Sequence, residues 1–413
     1  MEDLEKLVDE LQKENDKRAA ADPMVRASLE VVEAFLKEHR VMCYGGTAIN
    51  NLLPPDEQFY DPEFDIADYD FFSKTPQEHA MVLANKLADV GIKNIEVRPG
   101  IHLGTFKVFA DFEGVADITH MDDDLFERLW DQSIERGGIH YVPPDYLRMS
   151  MYLELSRPRG DVSRWTKVYK RLLLLNKHHP ITCEQDEAVT KSKVTPALKK
   201  QIVKLLKKEP VVLLGVTAAE HHMRKEWTTP VMLLADKATI EKLTEGKEVR
   251  KNEGTEILPP RYNVMEKDGS SHVRFYETTA CHSFHTTQEG IRVASIPTIL
   301  QFFFAYIYAP ASKGNIASIQ CIAQRLVDIA HAKPKRRYDL LTPKDCLGKQ
   351  ETLVDMRKHK ATLYEKVSNN KGSAAFLRYF FTYNPRASKT ERAKVREQLR
   401  RTRRARSRSG TSA

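Results

Sequence analysis

Two aspartates one residue apart, Asp68 and Asp70 in the run Ile66-Ala-Asp-Tyr-Asp-Phe-Phe72, constrain this chain more than any other feature. They follow the glycine pair Gly45-Gly46. Side chains alternate across a strand, so positions 68 and 70 share one face and Tyr69 takes the other. Adjacent carboxylates on a half-buried sheet repel each other and lose hydration. A cation between them removes that cost, and hard oxygen donors on one face suit Mg2+ or Mn2+.

A site for two such ions needs a third carboxylate from a neighbouring strand. Leu103-Gly-Thr-Phe-Lys-Val-Phe109 and Gly114-Val-Ala-Asp-Ile-Thr119 read as consecutive strands joined by a hairpin turn over Asp111 to Gly114. Asp117 is the acid inside the second apolar run and is assigned as the third ligand, shared with Asp68 and Asp70. Upstream, Arg40-Val-Met-Cys-Tyr44 is a short apolar strand, Gly45-Gly46 a tight turn, and Thr47 to Leu53 the start of a helix. Free amides at that helix start suit phosphates, which makes Gly45, Gly46 and Thr47 nucleotide-binding candidates. Asp61 and Asp65 lie in the intervening stretch as rival ligands, ranked lower because Asp61 precedes Pro62 and Asp65 lies outside the strand core. Asp122-Asp123-Asp124 reads as the cap of a helix over Leu125 to Trp130.

A glycine turn feeding a helix and then an acid-x-acid strand is how nucleotidyltransferases hold a triphosphate and two metal ions. The chain more specifically resembles the catalytic subunit of poly(A) polymerases of large cytoplasmic DNA viruses, the poxvirus and mimivirus-like group. The resemblance rests on Tyr44-Gly-Gly-Thr-Ala-Ile-Asn50, Tyr60-Asp-Pro-Glu-Phe64, Asp68-Tyr-Asp-Phe-Phe72 and Ala116-Asp-Ile-Thr119. Its most specific part is Glu154-Leu-Ser-Arg-Pro-Arg-Gly-Asp-Val-Ser-Arg-Trp165 with Lys167-Val-Tyr-Lys-Arg171. It covers roughly residues 30 to 345. The spacing from the glycines to Asp68 exceeds the superfamily's usual one, and the stretch from Pro54-Pro55 to Asp65 reads as an inserted loop. The resemblance implies template-independent addition of AMP from ATP to an RNA 3′ end, with two divalent ions and pyrophosphate release. It also implies a host-cytoplasmic or virion location, and either self-association or pairing with a processivity subunit. Residues alone indicate a nucleotidyltransferase-like site. Another transferase remains the alternative (an oligoadenylate or cyclic-dinucleotide synthase, or a uridylyltransferase), as does a catalytically silent RNA-binding subunit.

The specific motif has its own physical reading. Arg157, Arg159, Arg164, Lys167, Lys170 and Arg171 crowd a short window. Lys167 and Lys170 share a face if the segment is helical, as do Trp165 and Tyr169. Arg157, Lys167 and Lys170 are therefore candidates for neutralising triphosphate charge, with an aromatic ring available for base stacking.

A second, altered copy follows. Val41-Met-Cys-Tyr-Gly-Gly-Thr-Ala48 matches Val211-Val-Leu-Leu-Gly-Val-Thr-Ala218. Gly138-Ile-His-Tyr-Val142 and a helix over Tyr146 to Leu155 match Gly290-Ile-Arg-Val-Ala294 and a helix over Thr298 to Tyr308. This copy has no acid-x-acid strand and no counterpart of Asp117, so it reads as structural, and the resemblance likewise implies an active and an inactive domain. The class is α+β with mixed sheets and helices on one side, as tandem nucleotidyltransferase-like domains between helical terminal segments.

The expected divisions are N-terminal helices over 1–39, a catalytic domain over 40–180 and a lysine-rich connector over 181–210. The second copy follows over 211–345, then a helical region over 346–385 and a basic, disordered tail over 386–413. Leu4, Leu7, Val8 and Leu11 mark an amphipathic helix, and Asp22-Pro23 starts another. Both helices are expected against the catalytic sheet or a partner.

The net charge of +8 is concentrated at the C-terminus. Residues 386–413 hold 11 Lys or Arg and 2 Glu, against 54 basic and 55 acidic residues elsewhere. Such a segment binds phosphate backbones by counterion release. No apolar run reaches the ~18 residues of a membrane span. The acidic start is unlike a secretory signal, and five scattered cysteines without a CxxC read as reduced intracellular thiols. Cys281-His-Ser-Phe-His285 offers too few ligands for zinc.

Overall fold

The computed structural model describes residues 2–61, 63–183, 192–310, 316–332 and 344–409. It divides into two compact units, Met1–Pro143 with Leu353–Ala413, and Pro144–Thr352. The fold is mixed α/β, with one mixed sheet in each unit.

The first unit opens with α1 (Glu2–Ala21), α2 (Pro23–Glu38), β1 (Met42–Tyr44), α3 (Gly45–Leu52), β2 (Tyr69–Ser73) and α4 (Pro76–Asp89). It continues through β3 (Glu96–Pro99), β4 (Thr105–Ala110), β5 (Glu113–His120), α5 (Asp123–Trp130), β6 (Ile134–Arg136) and β7 (Ile139–Tyr141). The strand order is β3-β4-β5-β2-β1-β7-β6, with β2 parallel to β5, β1 parallel to β7, and antiparallel pairs elsewhere.

Strand alternation divides the residues between the two faces. Phe71, Phe106, Val108 and Ile118 are fully buried, and Phe71 packs 5.8 Å from Phe35 of α2. Tyr69 faces the same way and donates to Glu33 at 2.6 Å. Asp70 and Phe72 take the other face, where Phe72 stacks on Tyr44 at 3.9 Å. The hairpin turn is Asp111-Phe112, both with positive φ, the backbone of a two-residue type I′ connection.

Asp22 caps α2 by accepting from Met24 and Val25 amides, and Val32, Phe35 and Leu36 of that helix are buried. On α1 the stripe behaves differently: Leu4, Leu7, Val8 and Leu11 stay exposed, so of the two expected placements this helix does not take the one on the sheet.

The second unit contains α6 (Pro144–Leu155), α7 (Trp165–His178), α8 (Pro196–Lys208), β8 (Val212–Leu213), α9 (Gly215–His222), β9 (Val231–Ala235) and α10 (Lys237–Thr244). Then come β10 (Val249–Asn252), β11 (Arg261–Met265), β12 (Ser271–Glu277), β13 (His282–Thr286), β14 (Arg292–Ala294), α11 (Ile296–Ile307), α12 (Ile316–Ala332) and β15 (Asp345–Leu347). Its strand order, β10-β11-β12-β9-β8-β14-β13-β15, repeats that of the first sheet strand for strand, with β15 added at one edge. The parallel pairs recur too, as β9 with β12 and β8 with β14.

Helices α6 and α7 lie inside the 40–180 stretch read as one domain, yet they belong to the second unit. The reason is packing: Tyr152 of α6 stacks on Phe304 of α11 with rings 5.9 Å apart, and Tyr146 meets Tyr308. The 181–210 connector lies in this unit as well, where described. Its cysteines are not reduced thiols. Cys183 is bonded to Cys321 and Cys281 to Cys346, pairs separated by 138 and 65 residues in sequence. Adjacent β13 and β15 bring the second pair together, and Cys43 alone is free and buried.

Three helices complete the first unit: α13 (Leu353–Val367), α14 (Ala374–Phe380) and α15 (Lys389–Ser409). Tyr383 covers the sheet edge, exchanging backbone hydrogen bonds with Val97 of β3. The tail expected to be disordered over 386–413 is helical from Lys389 to Ser409, and 410–413 lie outside the described residues. A capping box starts it: the Glu391 amide donates to the Ser388 hydroxyl, and the Ser388 amide donates to the Glu391 carboxylate. Arginine propagates helix well, which offsets the charge density. Among the described residues no helix is long and apolar enough to cross a membrane.

Candidate active site

The site is built on the sheet face opposite α2. Asp70 pairs in register with Tyr44 of β1 on one side and with Asp117 of β5 on the other. Asp117 pairs in turn with Lys107 of β4. These are neighbours across a pleated surface, so their side chains share that face. Asp68 sits one residue before β2 begins, not within the strand as expected, and its backbone carbonyl accepts from the Thr47 hydroxyl at 2.6 Å. That bond ties the first turn of α3 to the entry of β2.

The electrostatics describe a crowded set of acids. Desolvation, then the Asp117 charge, hold the Asp68 carboxyl above its ordinary range, while Lys107 opposes the shift. The Tyr44 hydroxyl is pushed up by burial and by all three carboxylates, Asp70 first. It hydrogen-bonds Thr119 at 3.0 Å, which meets Thr105 at the same distance. Lys107 donates to both Asp117 oxygens at 2.6 and 2.8 Å. An ammonium group therefore already compensates part of the negative charge.

The donor set fits a hard divalent cation, three carboxylates around one tyrosine hydroxyl on an open sheet face. Among the described residues no three His, Cys, Asp or Glu side chains stand close enough to form a finished cage, and Lys107 holds one of the candidate ligands.

Gly45 has φ +74°, and a Cβ on it would lie 2.7 Å from Asp70 Oδ2. Glycine is required twice over, for the backbone and for the room given to the carboxylate. Gly45→Ala is expected to cost about 1–3 kcal/mol through left-handed strain and to displace Asp70. Urea unfolding and nucleotide incorporation measure the two effects separately.

The rival acids are used locally. Asp65 accepts from the Asp61 amide and Asp61 from the Glu63 amide, which folds that loop on itself. Behind it, Asn50 accepts from the amides of Phe59 and Tyr60. Asp122 occupies the N-cap position of α5 but makes no capping hydrogen bond, and Asp123 and Asp124 lie in the helix's first turn.

Arg157, Lys167 and Lys170 belong to the second unit and separate into two environments. Lys167 and Lys170 are exposed on α7, three residues apart as the helical reading required. Arg157 is partly buried beside Glu154, and its Nε has no partner among the described residues. Burial pushes its pKa down. Glu154 also pairs with Arg164 at 3.2 Å. Lys107 was missed by sequence reasoning. The turn at Asp111-Phe112 alone would set Lys107 opposite Ala116; a bulge between Val108 and Phe109 shifts the register by one and brings Lys107 opposite Asp117.

The equivalent positions of the second sheet carry different chemistry. Gly215 also has positive φ, and its missing Cβ faces Met232, as that of Gly45 faces Asp70. Met232 pairs with Arg274, and Arg274 with Asn263. Methionine thus stands at the register of Asp70, arginine at that of Asp117 and asparagine at that of Lys107.

Residues 30–161 match the sequence profile of a family described as the poly(A) polymerase catalytic subunit. The chain is 31% identical over 160 residues to a protein of that name from Acanthamoeba polyphaga mimivirus, covering 38% of this chain and 27% of the relative. It is 33% identical over 171 residues to one from African swine fever virus (isolate Pig/Kenya/KEN-50/1950), covering 40% and 36%. The matched stretch thus spans 27% and 36% of those relatives' lengths. The fold is similar to that of the Megavirus polyadenylate synthase, with TM-score 0.75 at 19% identity over 97% of this chain and 89% of that one.

Proposed function

We propose that this chain is a template-independent polynucleotide adenylyltransferase, adding AMP from ATP to RNA 3′ ends and releasing pyrophosphate. The observation that carries the reading is the register Tyr44–Asp70–Asp117–Lys107 across four adjacent strands, in a segment matching the poly(A) polymerase catalytic-subunit profile. Asp68, Asp70 and Asp117 are the residues that would hold two divalent cations, Mg2+ or Mn2+. Bound there, such cations acidify a 3′-hydroxyl and neutralise triphosphate charge.

The protein's own groups position and exclude. Gly45 leaves space for the Asp70 carboxylate, and Gly46 and Thr47 open a helix whose first amides suit phosphate oxygens. Lys107 balances Asp117 until a stronger cation competes. Lys167 and Lys170 offer exposed charge to phosphates, and the basic α15 offers more to an RNA backbone. The second unit is read as a duplicate of the catalytic fold that lost its acids, with Met232 and Arg274 where ligands would stand. ATP and an RNA 3′ end are the substrates in this reading, inside an infected cell or virion, with a second copy or a processivity subunit as partner.

The test is incubation of the full chain with an RNA oligonucleotide, each labelled nucleoside triphosphate and Mg2+ or Mn2+, with and without chelator. Primer-dependent incorporation of AMP supports the proposal. Primer-independent product indicates a synthase, and RNA binding with no incorporation indicates a silent subunit.

The raised Asp68 pKa gives an independent expectation. A carboxyl whose folded pKa lies above its unfolded one destabilises the fold once ionised, and the penalty fades as pH falls through that pKa towards the ordinary value. Without metal, Asp68→Asn is therefore expected to melt higher than wild type at pH 7 and equally at low pH. Added Mn2+ is expected to reverse the order at pH 7. Thermal melts across pH, with and without Mn2+, measure this.

A further inference from the structure

The second unit contains a cavity of about 240 Å³ at the register where the first carries its acids. Met232 and Arg274 line it, with Gly215 at one end. Apart from Ser318 the other walls are aromatic and aliphatic. Tyr276 and Phe302 meet edge-on with rings 5.8 Å apart, and Tyr306 and Ile319 also line the space. Tyr276, Phe302 and Ile319 are each at least nine-tenths buried, so these walls are built into the core.

Among the described residues Arg274 is the only charged group in the lining. Its Nε donates to Asn263 Oδ1 at 2.7 Å, which fixes the plane of the guanidinium. No carboxylate among the described residues pairs with it, and the Nη1–Nη2 edge has no protein partner there. Relative to the first sheet the sign of charge is inverted, since no acid remains to hold a cation and one fixed cation is present. A single arginine in apolar surroundings matches a single negative charge. A triphosphate, with several charges, would lack counterions here.

We propose that this cavity binds a small, flat, largely apolar monoanion of the aryl carboxylate class. The carboxylate takes two parallel hydrogen bonds from the Arg274 terminal nitrogens, and the ring body packs among Tyr276, Phe302 and Met232. A planar fork matched to a planar carboxylate is the strong form of this contact. A cavity of 150 Å³ already holds benzene, so the larger volume accommodates a fused bicyclic ring. The binding does not depend on nucleotide transfer by the other unit.

The test uses the full chain with naphthalene-2-carboxylate as probe, naphthalen-2-ylmethanol as the uncharged control and AMP as the nucleotide control. Calorimetry gives affinity, and the ¹³C-methyl resonance of Met232 reports where binding occurs. The expected result is that the carboxylate shifts the Met232 methyl, and that Arg274→Met weakens it about tenfold or more, the order expected for losing a charge-assisted pair. The alcohol is expected to bind more weakly and equally to both proteins, which also shows that the variant's cavity is intact. Absence of a Met232 shift with millimolar carboxylate overturns the proposal. So does equal carboxylate affinity in Arg274→Met, or tighter binding of AMP at the same methyl.

Discussion

Replacing Asp70 by asparagine should cut nucleotide incorporation roughly a thousandfold, about 4 kcal/mol of transition-state stabilisation, while leaving the protein folded. Asp70 is the middle of the site, in register with Tyr44 on one side and Asp117 on the other. Asparagine keeps the shape that fits against Gly45 and removes the charge. It also removes a like charge beside Asp117, so no loss of stability is expected. Primer extension with labelled ATP, alongside a circular dichroism melt, measures both. Retained extension by a folded Asp70→Asn protein would remove Asp70 from the mechanism. Asp117→Asn is a less clean experiment, because it strands the Lys107 ammonium that Asp117 holds with both oxygens.

The second large effect concerns stability rather than chemistry. Arg148 of α6 is 1% exposed, and its charge is met by Asp145 one turn earlier at 2.5 Å. Its Nε donates to Asn176 of α7 at 2.8 Å, and Asp145 also accepts from Gln320 of α12. Asp145→Ala would leave a guanidinium buried without its counterion, a loss of about 3–5 kcal/mol. Because the aspartate joins α6 to α12, the loss should appear as melting of the second unit. Urea unfolding followed by Tyr and Trp fluorescence gives the size. Arg148→Met together with Asp145→Leu should recover much of it, since a buried pair exchanged for apolar residues of similar size is often neutral. An unchanged midpoint for Asp145→Ala would show that water or a neighbouring group supplies the charge.

Local sequence was informative wherever one strand or one turn decided the outcome. The alternation Tyr69-Asp70-Phe71 separates a core face from a site face without outside help. The turn at Asp111-Phe112 was legible too, although the bulge between Val108 and Phe109 that sets the register of Asp117 was not. Helix α8 runs from Pro196 to Lys208, with the Thr195 side chain capping its start and the proline at its first position. The inserted loop was legible as a loop, and its acids close on one another within four residues.

Other features depended on distant residues. Leu4, Leu7, Val8 and Leu11 form a good amphipathic stripe, but a stripe does not specify what covers it, and in this chain it stays exposed. The α6–α7 pair reads as a continuation of the first sheet because it follows β7 directly. Tyr152 of α6 instead stacks on Phe304 of α11, a partner far along the chain. Cysteines 138 residues apart carry no signal of pairing, and only the fold brings Cys183 to Cys321. The arginine-rich C-terminus was read from charge, which disfavours compactness, whereas a capping box at Ser388 and Glu391 and good helix formers give it a helix.

From its order of residues alone the chain determined the alternation of its strands and its glycine turns, because these depend on periods of two and on φ. Tertiary structure decided that Lys107 neutralises Asp117, that Arg274 takes the corresponding place in the second sheet, and which helices share a core. Those outcomes depend on strand order and long-range packing, where contact energies are set by partners that no local window contains.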